Sequence, residues 1–168
     1  INLQIAVANT SGKSQDFWFN ETGLSTLVER IAEKHKNQGF EFSIKKVETK
    51  KLSTIWEAYI PTQQDVHFLK IDVEGSEKDV INSNNWSKFR PWIIVVESTL
   101  PMTEEESFQD WDHVLVSANY KMVYADALNH FYIDANHREL AKTFKYPQNV
   151  FDEYQHHSYR QDVEQSKE

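Results

Sequence analysis

Between Phe68 and Glu77 a short apolar run, Phe68-Leu69-Lys70-Ile71, meets two carboxylates, Asp72 and Glu74, and then Gly75. That order leaves the chain few options. Phe68, Leu69 and Ile71 favour a buried strand, and Gly75 allows a sharp turn that few other residues tolerate. Ser76 followed by Asp79, with Val80 and Ile81 next, reads as the capped N-terminus of a helix. Strand, acidic turn and helix make half of a βαβ unit, and such units carry ligands beyond the carboxyl ends of their strands. Asp72 and Glu74 are therefore expected at the rim of a site. A plainer reading stands beside this one: an acidic turn before a helix complements the helix dipole and needs no function to exist.

The rest of the chain alternates between the two periods. Ile1–Val7 alternates apolar and polar residues as a strand, Ser11-Gly12-Lys13 signals a turn, and Asp16–Phe19 suggests a returning strand. Leu24, Leu27, Val28, Ile31 and Ala32 recur at helical spacing, with Thr26 and Glu29 as a capping box and Gly39 at the end. Phe42, Ile44 and Val47 alternate as a strand, and Ser53–Ile60 is a short helix stopped by Pro61. The central strand Val66–Asp72 and a helix from Ser76 to about Ser83 follow. Trp86 and Phe89 are expected to tuck into the core from a loop. Trp92–Val96 is continuously apolar, the mark of a strand covered on both faces. Thr103 and Glu106 suggest a further capping box, with Phe108, Trp111, Val114 and Leu115 on one face. Lys121–Ala125 and His130–Ile133 read as a strand pair around a tight Asp126–Asn129 turn, and Asn136–Phe144 as a last helix. Strands alternating with helices predict an α/β sheet, mainly parallel, with an antiparallel pair at its end. One domain is expected over 1–154, then a polar tail over 155–168.

Composition narrows the function classes. The 168 residues contain no cysteine, which excludes disulfides and thiolate metal sites and fits a cytoplasmic protein. A net charge of −8 argues against nucleic-acid binding, since phosphate neutralisation needs clustered Lys and Arg. Lys45, Lys46, Lys50 and Lys51 form a basic cluster interrupted by Glu48, best read as a solvated face. No apolar stretch approaches the ~20 residues of a membrane span. Trp18, Trp56, Trp86, Trp92 and Trp111 each fall on an apolar face or beside a core strand, so burial accounts for them better than carbohydrate stacking.

Four blocks in the chain's order carry a resemblance. They are Lys70-Ile71-Asp72-Val73-Glu74-Gly75-Ser76-Glu77, Arg90-Pro91-Trp92-Ile93-Ile94-Val95-Val96-Glu97, Asp126-Ala127-Leu128-Asn129-His130-Phe131-Tyr132 and Tyr146-Pro147-Gln148-Asn149-Val150-Phe151-Asp152. Together they resemble the FkbM family of S-adenosylmethionine-dependent methyltransferases, from about Ile1 to Tyr154. The family usually shows Gly where Ala127 stands and Arg where His130 stands. The resemblance implies the Rossmann-like sheet of class I methyltransferases, S-adenosylmethionine as cofactor, and methyl transfer to a hydroxyl of a sugar, glycan or secondary metabolite.

Methyl transfer from a sulfonium asks the enzyme to align an oxygen with an already activated carbon and to take up its proton. Asp72, Glu97 and His130 are the candidate catalytic residues, Asp72 foremost. Asp72 and Asn9, the latter just beyond the first strand, are the candidate cofactor contacts. Glu74 and Asn129 are the candidate substrate contacts. Carboxylates at neighbouring strand ends would raise one another's pKa and suit base chemistry. Asp72, Glu74 and Glu97 could alternatively offer oxygens to Mg²⁺, although no native metal is expected.

The four glycines, Gly12, Gly23, Gly39 and Gly75, include no pair spaced as a Gly-rich cofactor turn. Because Ile1 opens directly in strand-like sequence, the chain reads as the N-terminally incomplete, substrate-side part of a longer polypeptide that binds cofactor poorly by itself. An incomplete sheet leaves an edge strand open to pairing with a second copy. Two other readings compete: a non-catalytic α/β module that binds a partner or glycan and has lost the cofactor site, and a dehydrogenase sharing the sheet architecture.

Overall fold

A computed structural model describes residues 1–147. Ile1–Arg138 forms one compact unit, and the chain from Glu139 onward belongs to a second. The expected tail over 155–168 and most of the block from Tyr146 to Asp152 lie outside the described residues.

The strands form two sheets. In the first, β1 (Ile5–Val7) runs parallel to β3 (Ser43–Lys50), and β2 (Ser14–Phe19) runs antiparallel to β3 on its other side. In the second the order is β4-β5-β7-β6, from β4 (Phe68–Ile71), β5 (Ile93–Glu97), β6 (Tyr120–Ala125) and β7 (Asn129–Asp134). β4 and β5 are parallel, and β7 lies antiparallel between β5 and β6. The α/β class holds, but the expected mainly parallel sheet is not what the chain forms. Two of the five strand pairings among the described residues are parallel and three are antiparallel. The short Asp126–Leu128 link forces β7 to run opposite to β6, because only a long crossover can bring a strand back parallel.

The inner strands of the second sheet are β5 and β7 rather than β4. Ile94, Val95 and Val96 are buried, in keeping with a strand covered on both faces. β4 pairs with β5 alone among the described residues, and Phe68 at its start is 56% exposed, so this strand is an edge and not a buried centre. Ile71 at its other end enters the core with Val80, Ile81, Trp86, Ile94, Val96, Trp111, Leu115, Tyr120 and Tyr132.

The helices are α1 (Glu29–Asn37), α2 (Leu52–Tyr59), α3 (Glu77–Asn82) and α4 (Asp112–Ser117), with a 3₁₀ turn at Phe108–Asp110 before α4. Three caps differ from their sequence readings. Thr26 does not cap α1: its hydroxyl accepts the Val28 N–H and donates to the Glu74 carbonyl, so it serves the acidic turn. Thr103 precedes no helix; its hydroxyl donates to the Leu100 carbonyl inside a loop, where Glu106 bridges to Thr99. Ser76 occupies the N-cap position of α3 without a side-chain bond. The last segment, Ala135–Phe144, is 3₁₀ in character and broken at His137, so the expected helix is not regular there.

One ion pair ties three elements at the foot of the second sheet. Arg90 Nη2 and Nε donate to the two carboxylate oxygens of Asp134 at 2.7 and 3.2 Å. Its Nη1 donates to the carbonyls of Trp86 and Ala118. The Asp134 side chain is only 3% exposed, so it depends on this partner. Removing one member of a buried pair leaves an uncompensated charge, and Arg90→Met should cost about 3–5 kcal/mol in denaturant unfolding. A loss below about 1 kcal/mol would mean that the pair does not hold the sheet's end.

A carboxylate group at the strand ends

The first layer of the site comes from strand alternation. Lys70 in β4 and Asp72 just beyond its end share one face by alternation, and the register sets Ile71 beside Val96, so that Asp72 follows beside Glu97. Glu97 in turn lies opposite Asn129, the first residue of β7. Asp72, Glu97 and Asn129 therefore meet where β4 and β5 end and β7 begins. The turn after β4 adds Glu74. Carboxylate oxygens of Asp72, Glu74 and Glu97 lie within 4.8 Å of one another.

The turn is built for this. Glu74 and Gly75 both adopt left-handed backbone, at φ of +50° and +95°. A Cβ on Gly75 would stand 2.3 Å from Ile31 Cδ1 of α1, so the end of that side chain would have to move, and the left-handed backbone itself favours glycine. The Glu74 carbonyl accepts the Thr26 hydroxyl at 2.8 Å. From beneath, Glu77 Oε1 accepts the backbone N–H groups of Val73 and Gly75 at 3.1 and 3.2 Å.

Charge and burial set the chemistry. Desolvation, with Asp72 and then Glu77 beside it, pushes the Glu74 carboxyl up to about 7. Glu97 is pushed up to about 8, chiefly by burial and further by Asp72, Glu74 and Glu77, with Lys70 opposing. Glu97 Oε2 is buried and has no hydrogen-bond partner. Lys70 Nζ sits 3.3 Å from Asp72 Oδ2 and donates to Asn129 Oδ1. Asn129 is held in place through its own N–H and side-chain amide, both donated to Asp126. The Asp126–Asn129 turn carries Ala127 at φ +74°, a conformation better suited to the glycine usual in the resembling family.

The structure brings together Asp72, Glu74, Glu97 and Asn129. His130 stands apart. It pairs with Val96, and alternation turns it to the opposite face, against the Phe108 ring at 4.5 Å. It is buried rather than a surface histidine, burial holds it below the usual imidazole value, and its Nδ1 has no partner. Asn9 lies exposed in the bend after β1, with no bond to the carboxylates. Three contributors were missed in the sequence: Lys70, Glu77 and Thr26. Glu77 could have been suspected, since a carboxylate two residues after a left-handed glycine can reach back to the turn's free N–H groups. Thr26, 48 residues away in sequence, left no local signal.

Residues 1–122 match the model of the methyltransferase FkbM domain. The chain belongs to this family. No curated protein and no solved structure matches it. The matched region includes β4, the acidic turn, β5 and Glu97, and ends within β6, before Asn129 and His130. As an FkbM-domain protein the chain places its carboxylates at the carboxyl ends of parallel strands, where α/β folds bind ligands. The three carboxylates could also face a hard cation through their oxygens. Among the described residues no helix is long and apolar enough to cross a membrane.

Because Glu74 and Glu97 bind protons more tightly in the folded state, their contribution to stability is complete below the ordinary value of 4.5. It is lost as pH rises through about 7 and about 8. From about pH 5 to about pH 9 the wild-type melting temperature should therefore fall more, or rise less, than that of Glu97→Gln, with the buried His35 and His130, held below the usual imidazole value, acting in the opposite sense in both proteins. An identical pH dependence in the two proteins would contradict the burial of Glu97. Gly75→Ala should lower stability by about 2–4 kcal/mol, through left-handed backbone and overpacking against Ile31. Gly12→Ala, at φ +74° in open space, should cost only about 1 kcal/mol.

Proposed function

We propose that this FkbM-domain protein transfers a methyl group from S-adenosylmethionine to a hydroxyl of a sugar, glycan or secondary metabolite. The observation that carries the reading is Glu97: a carboxylate with one buried, unpartnered oxygen, beside two further carboxylates, in a methyltransferase family. The acidic group suits the positive charge that the cofactor brings, on its sulfonium and its amino group. Asp72, Glu74 and Glu97 would face that charge. The bend after β1 contains Asn9 and the single glycine Gly12, with open space around the latter, which leaves room for a ligand but supplies no anion-binding loop.

S-adenosylmethionine, when bound, supplies an electrophilic methyl carbon whose bond to sulfur breaks with the electron pair going to sulfur. The chain's own residues have three tasks. Glu97, raised to about 8, is a base strong enough to draw the proton from a hydroxyl as its oxygen attacks. Asp72, charge-paired with Lys70, keeps negative charge beside the transferring group. Asn129, its amide fixed by Asp126 and Lys70, presents a polar edge to the acceptor. The negative charge of the chain goes with an uncharged or cationic acceptor rather than nucleic acid, and the lack of cysteine goes with a cytoplasmic setting.

The test is release of S-adenosylhomocysteine from S-adenosylmethionine in the presence of a panel of sugars and hydroxylated metabolites. Wild-type kcat should climb with pH until it levels above about 8, and Glu97→Gln should lower it by ~10²–10⁴-fold. Asp72→Asn should abolish turnover with melting temperature nearly unchanged, since the exposed pair with Lys70 is worth at most about 1 kcal/mol. Undiminished turnover in both variants would overturn the assignment.

A further inference from the structure

We propose that Glu77 is the positioning residue of the acidic rim, holding the Asp72–Gly75 turn in the one backbone path that turns Asp72 and Glu74 toward Glu97. The inference rests on the proposed function for its catalytic meaning and on geometry for its structural part. Glu77 opens α3, and its side chain is almost fully withdrawn from water, with the residue 3% exposed. A buried carboxylate needs partners, and a helix's first turn offers its own N–H groups. Glu77 draws on its own N–H and on two more outside the helix. Its Oε1 reaches back across the turn to the N–H groups of Val73 and Gly75. Those are the residues on either side of Glu74, whose left-handed backbone is unfavourable for a side-chain-bearing residue.

Each grip on the turn acts on a different atom. Thr26 holds the Glu74 carbonyl, and Ile31 fills the space against Gly75. Without the Glu77 oxygen, the Val73 and Gly75 N–H groups would have to find water, and a left-handed Glu74 would relax to an ordinary conformation. Such a relaxation would move its carboxylate away from Glu97. An uncharged amide at this position can still accept both bonds through its oxygen, whereas an aliphatic side chain of similar bulk cannot.

Residue-resolved amide hydrogen exchange on Glu77→Gln and Glu77→Leu separates the alternatives. In Glu77→Leu the Val73 and Gly75 amides should exchange at least about tenfold faster, while Ile94 and Val96 in β5 keep their protection. In Glu77→Gln the wild-type rates should return. With S-adenosylmethionine and the acceptor panel, Glu77→Leu should lose about 10- to 100-fold in kcat with little change in KM, the size of effect that a ~1 Å misplacement brings. Glu77→Gln should recover most of that loss. Should Glu77→Leu not fold, Glu77→Asp, one methylene too short to reach the turn, makes the same comparison. Unmoved exchange at Val73 and Gly75, an equal loss of protection in β5, or Glu77→Gln as impaired as Glu77→Leu would each overturn the proposal. The exchange measurement needs no turnover, so an absence of methyl transfer in the wild type would sink the proposed activity and leave this inference to be decided by exchange alone.

Discussion

Gly75 and Ile31 approach so closely that a methyl group on Gly75 would have to displace the end of the Ile31 side chain. That contact joins α1, which links β2 to β3 of the first sheet, to the turn that ends the leading strand of the second. The Thr26 hydroxyl reinforces it on the neighbouring carbonyl. Two acids of the rim hang from this junction, Asp72 immediately before the turn and Glu74 within it, and both meet Glu97 from the end of β5. A left-handed Glu74 is costly by itself and persists only where surrounding structure over-determines it. Here packing, a hydroxyl and a carboxylate all bear on a few residues.

The carboxylates illustrate how a fold can create chemistry that no one residue holds. Asp72 lies open to water and pairs with Lys70, and Glu74 and Glu97 lie deeper. Desolvation acts first on the deeper pair, and the neighbouring charges add to it. The result is a graded set: one carboxylate paired at the surface and two deeper ones that exchange protons near neutrality. Groups whose environments push them apart in this way are suited to acid and base roles. Lys70 keeps the set from being purely repulsive by pairing Asp72, while Asp126 fixes Asn129 beside it.

Several elements were legible because their cause is local. The Trp92–Val96 run is apolar at every position, so its burial on both faces needed no partner to be known. The hairpin around Asp126–Asn129 announces itself through turn residues between alternating strands, and Trp86 and Phe89 enter the core as their bulk requires. The capping readings failed for a related reason. Ser or Thr followed by Glu three residues on is a real signal, but the same hydroxyl can satisfy any nearby backbone group. Thr26 and Thr103 found better partners in the tertiary structure.

What the sequence by itself determined is the strand, acidic turn and helix around Gly75, and with it the position of Asp72 and Glu74 at a rim. Backbone freedom at glycine and apolar periodicity act within a few residues and can be read there. The family blocks added Glu97 and Asn129 as candidates, but not their meeting. Only the tertiary structure decided that Glu97 closes on Asp72 and Glu74, because strand register relates residues far apart in the chain. It also decided that His130, next to Asn129 in sequence, faces the other way, since a strand turns successive side chains to opposite sides of the sheet.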